Sequence, residues 1–335
     1  MAGGKADVLM IEAIMPLIDE GVEARFTLHR LWESEDPDAL IARLAPSLRY
    51  IVAGGSFHRK VGADMMAKLP KLEFISSFGV GYDHVDARWA GEHGIVVTNT
   101  PDVLTEEVAD TALGLLLCTV RQLSQAERYL RAGNWRQSDF QLSASLRDRT
   151  VGIVGLGRIG KAIARRLDAF GVPLVYHGRK QQPGVPYRHY ASLIDMARDV
   201  DILMLVMPGG AATRAMVNAE VLEALGPDGI LINMSRGSTV DEAALIDALK
   251  NRKIRSAGLD VFWHEPEVPP ELIAMDHIAL LPHVGSASVH TRNAMGQLVV
   301  DNLVAWTSGK RPLTPVPETP VPEDRGRRSD IRGQR

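Results

Sequence analysis

The sequence predicts an α/β protein built from two parallel-sheet domains, and three observations carry that expectation. Short β-branched runs alternate with helix-length stretches along most of the chain, which is the pattern of βαβ units. In the second half these runs are almost continuously apolar, as in strands covered by helices on both faces. A glycine-rich turn, Gly155-Leu-Gly157-Arg-Ile-Gly160, stands between one such run and a stretch with helical spacing. A length of 335 residues also favours two domains, at roughly 150 residues each.

Taken in order, the first strands fall in Val8–Ile14, Phe26–Leu31, Tyr50–Gly54, Phe74–Val80 and Ile95–Asn99. A long helical pattern follows over Thr105–Arg131, with Thr105 as N-cap and Glu106 and Glu107 in the first turn, where acidic side chains suit the helix dipole. The second group of strands comprises Val151–Gly155, Leu174–His177, Ile202–Met207, Ile230–Met234, Ala257–Val261 and Ile278–Leu281. A last apolar helix covers Val289–Trp306; packed back on the first region, it makes the first domain discontinuous. Beyond Lys310 come Pro312, Pro315, Pro317, Pro320 and Pro322 and then an arginine-rich end, so residues 317–335 read as a disordered tail.

Composition excludes several classes. With 45% hydrophobic and 24% charged residues the chain is ordinary for a globular protein. A formal net charge of -3, from 38 basic and 41 acidic residues, gives no general attraction to nucleic acid or to an anionic membrane. No apolar run approaches the roughly 18 residues that span a bilayer, and the amino terminus is interrupted by Asp7, Glu12 and Pro16, unlike a signal peptide. The single cysteine, Cys118, rules out an intrachain disulfide and a cysteine-cluster metal site, reads as an inert core residue and fits a cytoplasmic setting.

The glycine turn is the strongest local signal. Gly155 is read as the tight turn, Gly157 as the place where backbone reaches a pyrophosphate, and Gly160 as the contact that lets helix pack on strand. Ile159, Ile163, Ala164 and Leu167 continue it at helical spacing. That context makes the second region a Rossmann-type dinucleotide domain, with phosphate held at a helix N-terminus. NAD enzymes place a carboxylate at the end of the next strand, about 20 residues on. Here that place reads Tyr176-His-Gly178-Arg179-Lys180, two cations and no acid, which favours NADPH with NADH as the alternative.

Three later strands each end near a chemically useful residue: Arg236, the Asp260–Glu265 segment, and His283. Ligands collect at the carboxyl ends of strands in open α/β sheets, so these groups are candidates to converge. Taken with Phe78-Gly-Val-Gly-Tyr-Asp83, Asn99-Thr-Pro-Asp-Val-Leu-Thr105, the glycine turn, Ser235-Arg-Gly237, Gly258-Leu-Asp-Val-Phe262 with Glu265-Pro266, and Leu281-Pro-His-Val-Gly-Ser286, they resemble the D-isomer-specific 2-hydroxyacid dehydrogenases. Within that family the strand end at 176–180 looks most like the NADPH-dependent glyoxylate/hydroxypyruvate reductases and the plant hydroxyphenylpyruvate reductases. One departure is Pro208-Gly-Gly-Ala-Ala-Thr213, in place of the family's leucine, threonine, proline and glutamate after the proline.

The resemblance implies a Rossmann coenzyme domain at 101–286 with a dimerisation helix, and a flavodoxin-like substrate domain made of 1–100 and 287–316. It implies catalytic roles for Arg236, which would bind the keto-acid carboxylate, His283, which would donate the proton, and Glu265, which would hold the imidazolium. Substrate contacts would fall on Gly54, Gly55, Val80, Gly81, Arg236 and His283. Cofactor contacts would fall on Thr105, Gly155, Leu156, Gly157, Arg158, Ile159, Gly160, Gly178, Arg179, Lys180, Met207, Pro208, Thr213, Met234, Ser235, Arg236, Asp260, His283 and Gly285, with Asp260 orienting the nicotinamide carboxamide. No metal is implied. The implied partner is a second copy of the chain in a homodimer, and for Trp135 two readings stand, the partner's pocket or the core.

The expected activity is therefore NADPH-dependent reduction of small 2-keto acids, glyoxylate and hydroxypyruvate first. The alternatives are an NADH-linked dehydrogenase of another D-2-hydroxy acid, of hydroxyphenyllactate or phosphoglycerate type, and a non-enzymatic dinucleotide-sensing protein.

Overall fold

The computed structural model describes residues 5–54 and 59–323. The chain divides into two compact units, Met1–Leu104 with Val289–Arg335, and Thr105–Ser288, so the divisions fall after 104 and after 288 instead of at 100 and 286.

Unit 1 runs β1 (Asp7–Met10), α1 (Pro16–Glu23), β2 (Thr27–Arg30), α2 (Pro37–Leu44), β3 (Tyr50–Ala53), α3 (Ala63–Ala67), β4 (Phe74–Ser77), α4 (Ala87–Glu92) and β5 (Val96–Thr98). The strands form one parallel sheet in the order β2-β1-β3-β4-β5, a flavodoxin-like arrangement. Helix starts follow local chemistry: Pro16 and Pro37 sit at first-turn positions that need no amide, and the Asp36 and Asp86 carboxylates accept the amides of Ala39 and Trp89. Leu9, Ile51, Ile75 and Val97 bury one face of the sheet against α2, α3 and α4.

The chain then enters unit 2 through α5 (Thr105–Arg121) and α6 (Leu123–Arg131). The single helix expected over 105–131 is broken at Gln122, which adopts a left-handed backbone at φ 52°. Thr105 opens α5 instead of preceding it. Next come β6 (Val151–Val154), α7 (Arg158–Phe170), β7 (Leu174–His177), β8 (Arg188–Tyr190), α8 (Leu193–Asp199), β9 (Ile202–Leu205), α9 (Ala219–Leu225), β10 (Ile230–Asn233), α10 (Glu242–Lys250), β11 (Ser256–Leu259), α11 (Pro270–Ile273) and β12 (Ala279–Leu280). The seven strands are parallel in the order β12-β11-β10-β9-β6-β7-β8, and the order reverses between β6 and β9. β6, β9 and β10 are buried at every position, which is why their sequences are apolar apart from Asn233 at the end of β10.

The final helix, α12 (Val289–Thr307), packs on α1 and β4 of unit 1. Ser76 of β4 donates to the Val299 carbonyl, and Phe74 stacks on Trp306 at a centroid distance of 5.0 Å.

The expectation of disorder from 317 is corrected for residues 317–323. Thr319 is buried, its hydroxyl accepting the Val97 amide at 3.0 Å, and the Val316 amide donates to the Val97 carbonyl at 2.9 Å. Composition misses this because the prolines remove amides that the segment does not need. The donors left at Val316 and Thr319 meet the outer edge of β5, which composition alone cannot show. Residues 324–335 lie outside the described residues.

Candidate active site

The glycine turn joins β6 to α7. Gly155 has φ 98°, and a Cβ there would stand 2.8 Å from the Met207 amide nitrogen, so the turn needs glycine for both conformation and space. A Cβ at Gly160 would lie 2.3 Å from the Gly155 carbonyl oxygen, so helix and turn touch through backbone. At Gly157 an added Cβ would meet nothing within 4 Å. A bare backbone face at the start of a 13-residue helix therefore stands open, the surface a diphosphate needs. Arg158 and Ile159 supply the first residues of that helix. Met207 and Pro208 follow β9 alongside the turn, and the Thr213 hydroxyl donates to the Pro208 carbonyl, closing the loop whose sequence departs from the family pattern.

At the end of β7, Gly178 is half-buried and Arg179 and Lys180 are exposed; among the described residues neither cation is in an ion pair. Sequence reading missed Gln182. Its side chain donates to the Leu156 carbonyl at 2.7 Å and its amide to the Tyr176 hydroxyl at 2.7 Å, fastening this loop to the glycine turn.

Arg236 follows β10. Its backbone carbonyl accepts from Asn233 Nδ2 at 3.1 Å and from the Thr239 hydroxyl at 2.7 Å, and its guanidinium Nη1 donates to the Ser235 carbonyl at 2.8 Å. Asn233, Ser235 and Thr239 are all buried, and the Ser235 hydroxyl bonds to Asn233 Oδ1 at 2.7 Å. Sequence reading also missed Asn233 and Thr239. The one available signal was Asn233, a polar residue closing an otherwise apolar strand; Thr239 lies in the turn beyond it. Gly237 allows no side chain, since a Cβ would fall 1.9 Å from the Phe262 carbonyl carbon. The Arg236 turn is thereby laid directly on the segment leading to Glu265.

His283 and Glu265 meet. The imidazole Nδ1 lies 2.7 Å from Glu265 Oε2, while Glu265 Oε1 accepts the Phe262 amide at 2.8 Å. The carboxylate side chain is 11% exposed and the imidazole 31%, so the ring keeps an open edge while its anchor is shielded. A hydrogen bond between Nδ1 and a carboxylate sets the orientation of the ring and the tautomer it favours.

Asp260, at the end of β11, organises the same loop. Its carboxylate oxygens accept the amides of Val284 at 2.7 Å and Gly285 at 2.9 Å. Burial pushes the Asp260 carboxyl above its ordinary value, opposed by those amides and by the charge of His283. From α5, the Thr111 hydroxyl donates to the Gly285 carbonyl, and Thr105 stands at the start of that helix. Met234 is buried within unit 2; a Cβ added at Gly285 would lie 3.2 Å from its side chain.

Four expected substrate positions fall in unit 1. Gly54 has φ 110°, and a Cβ there would meet the Phe78 carbonyl oxygen at 2.5 Å; Gly55 lies outside the described residues. Val80 and Gly81 sit in the loop after β4, half-buried, and among the described residues no hydrogen bond uses either amide. Trp135, one of whose readings was core packing, is 64% exposed on unit 2. Cys118, read as a core residue, is half-buried.

Residues 113–285 match the family model for the D-isomer specific 2-hydroxyacid dehydrogenase NAD binding domain. The chain is 47% identical to glyoxylate/hydroxypyruvate reductase A of Arabidopsis thaliana over 92% of its own length and 98% of that protein's. It is 44% identical to hydroxyphenylpyruvate reductase of Plectranthus scutellarioides, with the same two coverages. Among solved structures it is similar to the NADPH-dependent glyoxylate/hydroxypyruvate reductase of Sinorhizobium meliloti in complex with NADP and malonate, with a TM-score of 0.90, 52% identity, and coverage of 95% of this chain and 98% of that one. With a glycine turn that fits a dinucleotide and an Arg236, Glu265 and His283 set on one sheet, the chain belongs to the D-isomer-specific 2-hydroxyacid dehydrogenases.

Proposed function

We propose that this chain is an NADPH-dependent reductase of small 2-keto acids, taking glyoxylate to glycolate and hydroxypyruvate to D-glycerate. The observation that carries the reading is the 2.7 Å pairing of His283 with a shielded Glu265, in the unit whose sheet also bears the glycine turn. NADPH, when bound, supplies the hydride. Arg236 binds the substrate carboxylate and polarises the keto oxygen through a fixed, permanently charged fork. His283 gives up the Nε2 proton to that oxygen as negative charge develops there. Glu265 keeps Nδ1 protonated throughout, so the ring ends neutral in a single tautomer and is recharged from solvent at Nε2. The Val80 and Gly81 amides, which make no hydrogen bond among the described residues, are read as carboxylate donors.

The glycine turn and the α7 N-terminus hold the diphosphate, and Arg179 and Lys180 read the 2′-phosphate, for which no carboxylate competes at the strand end. The Sinorhizobium meliloti relative is itself described as NADPH-dependent. A second copy of the chain is the proposed partner. The support is an exposed apolar series on α6 and the segment after it, with Leu123 at 47%, Leu130 at 56%, Trp135 at 64% and Leu142 at 100% exposure. Among the described residues no helix is long and apolar enough to cross a membrane, and a single cysteine supports a cytoplasmic location.

The test is direct. Purified protein with NADPH and a panel of 2-keto acids of increasing size should oxidise the cofactor, fastest with glyoxylate or hydroxypyruvate. Absence of turnover across the panel would overturn the reading.

A further inference from the structure

The carboxylate loop of unit 1 is gripped through its carbonyls. Asn99 Nδ2 donates to the Val80 carbonyl at 2.8 Å, and the Thr100 amide donates to the Gly79 carbonyl at 2.9 Å, with the Gly79 amide returning a bond to the Thr100 hydroxyl at 3.0 Å. Both peptides concerned, 79–80 and 80–81, are trans, as the only cis bond is Glu265–Pro266 among the described residues. In a trans peptide the C=O and the following N–H point in opposite directions. Fixing the Gly79 carbonyl therefore aims the Val80 amide away from Thr100, and fixing the Val80 carbonyl aims the Gly81 amide away from Asn99.

Asn99 is held in turn by the segment after α12. Its amide donates to the Thr314 carbonyl at 3.2 Å, and its carbonyl accepts the Thr314 hydroxyl at 2.6 Å. Thr314 is fastened by Asn302, fully buried on α12, which accepts the Thr314 amide at 3.1 Å and donates to its hydroxyl oxygen at 2.9 Å. Farther along, the Glu318 carboxylate accepts the hydroxyl of Tyr82, the neighbour of Gly81, at 2.9 Å. The segment seats tightly, for a Cβ at Gly91 would lie 2.0 Å from the Glu318 carbonyl oxygen.

We infer that Asn99 is a positioning residue for keto-acid recognition, orienting the Gly81 amide through the Val80 carbonyl, and that the 313–319 segment is its brace. This rests on the reading of the Val80 and Gly81 amides as carboxylate donors. Asn99 touches neither substrate nor cofactor in this role; it sets the direction of a donor, a matter of orientation to which binding is steeply sensitive.

The test uses the full-length chain. Asn99→Asp keeps the shape but sets a carboxylate oxygen against the Val80 carbonyl. It should raise the glyoxylate KM and weaken oxalate binding, measured calorimetrically with NADP present, by about fivefold or more, with a much smaller change in kcat and in the NADPH KM. Glu318→Ala, at an exposed position, should move the same two quantities the same way by less, and Glu318→Gln, which retains an acceptor for Tyr82, should restore them. Wild-type turnover together with oxalate affinity and glyoxylate KM unchanged in Asn99→Asp and Glu318→Ala overturns this inference alone. A wild-type protein that neither turns over glyoxylate nor binds oxalate overturns the proposed function with it.

Discussion

The backbone carbonyl of Asp260 accepts the amide hydrogen of His283 at 2.9 Å, and its carboxylate takes the next two amides, so one residue fixes three consecutive positions of the loop that carries the imidazole. His283 itself sits at φ 53°, in the left-handed region that few non-glycine residues occupy. Asp260→Asn puts an amino group against one of the two amides it now accepts. The expected result is a stability loss of about 1–3 kcal/mol in denaturant unfolding and a kcat reduced by at least about tenfold. A variant with wild-type kcat would remove Asp260 from the positioning of His283.

His283→Ala should lower kcat by about two to four orders of magnitude while NADPH binding, followed by fluorescence titration, changes little. Glu265→Gln should cost less, because it keeps the shape of the side chain, but its single carbonyl oxygen can accept from only one of the two donors, the Phe262 amide or Nδ1, and it offers no charge to the imidazolium. Equal NADPH affinities combined with equal kcat in all three proteins would dismiss the pair as the proton donor.

Removing the guanidinium in Arg179→Ala should weaken NADPH about tenfold to a hundredfold, the range of one charge-assisted hydrogen bond, and leave NADH nearly as it was. Parallel KM measurements decide this. Equal losses for both cofactors would mean that Arg179 does not read the 2′-phosphate.

His277 offers a pH signature in stability. Burial lowers its pKa from 6.5, the nearby Arg252 charge adds to that effect, and Asp276 and a bond to the Leu249 carbonyl oppose it; Nε2 is buried without a hydrogen-bond partner among the described residues. The unfolded chain thus binds the proton more readily than the folded one. Between the folded value and about 6.5 stability rises with pH, and it is lost as pH falls below about 6.5. Thermal unfolding from pH 7.5 to pH 5.5 should show a drop in Tm that is smaller in His277→Phe. An identical drop would assign the dependence to other groups.

Much of the fold was legible because burial on both faces forces long apolar runs, and β6, β9 and β10 carry them almost to the residue. β8 was not, since Arg188-His-Tyr190 pairs on one side only, at the sheet edge, and carries polar side chains. Gln122 gave no warning of its left-handed break, because nothing in its residue type demands that conformation. At the site, Glu265 and His283 were readable from strand ends as candidates to converge, and they meet at 2.7 Å. Asn233, Thr239, Gln182 and Asn99 were not, because each acts through a backbone carbonyl distant in direction though near in sequence, or across elements, and leaves no spacing pattern.

The Val316 and Thr319 contacts with Val97 have a meaning for solubility as well. β5 pairs with β4 on one side only, and on its other side the chain's own segment occupies the amide and carbonyl of Val97 that would otherwise template a foreign strand. A chain cut before Val316 would present that apolar edge naked, so shortening this terminus invites sheet-to-sheet association, whereas a tag added beyond residue 323 leaves the guarded edge intact.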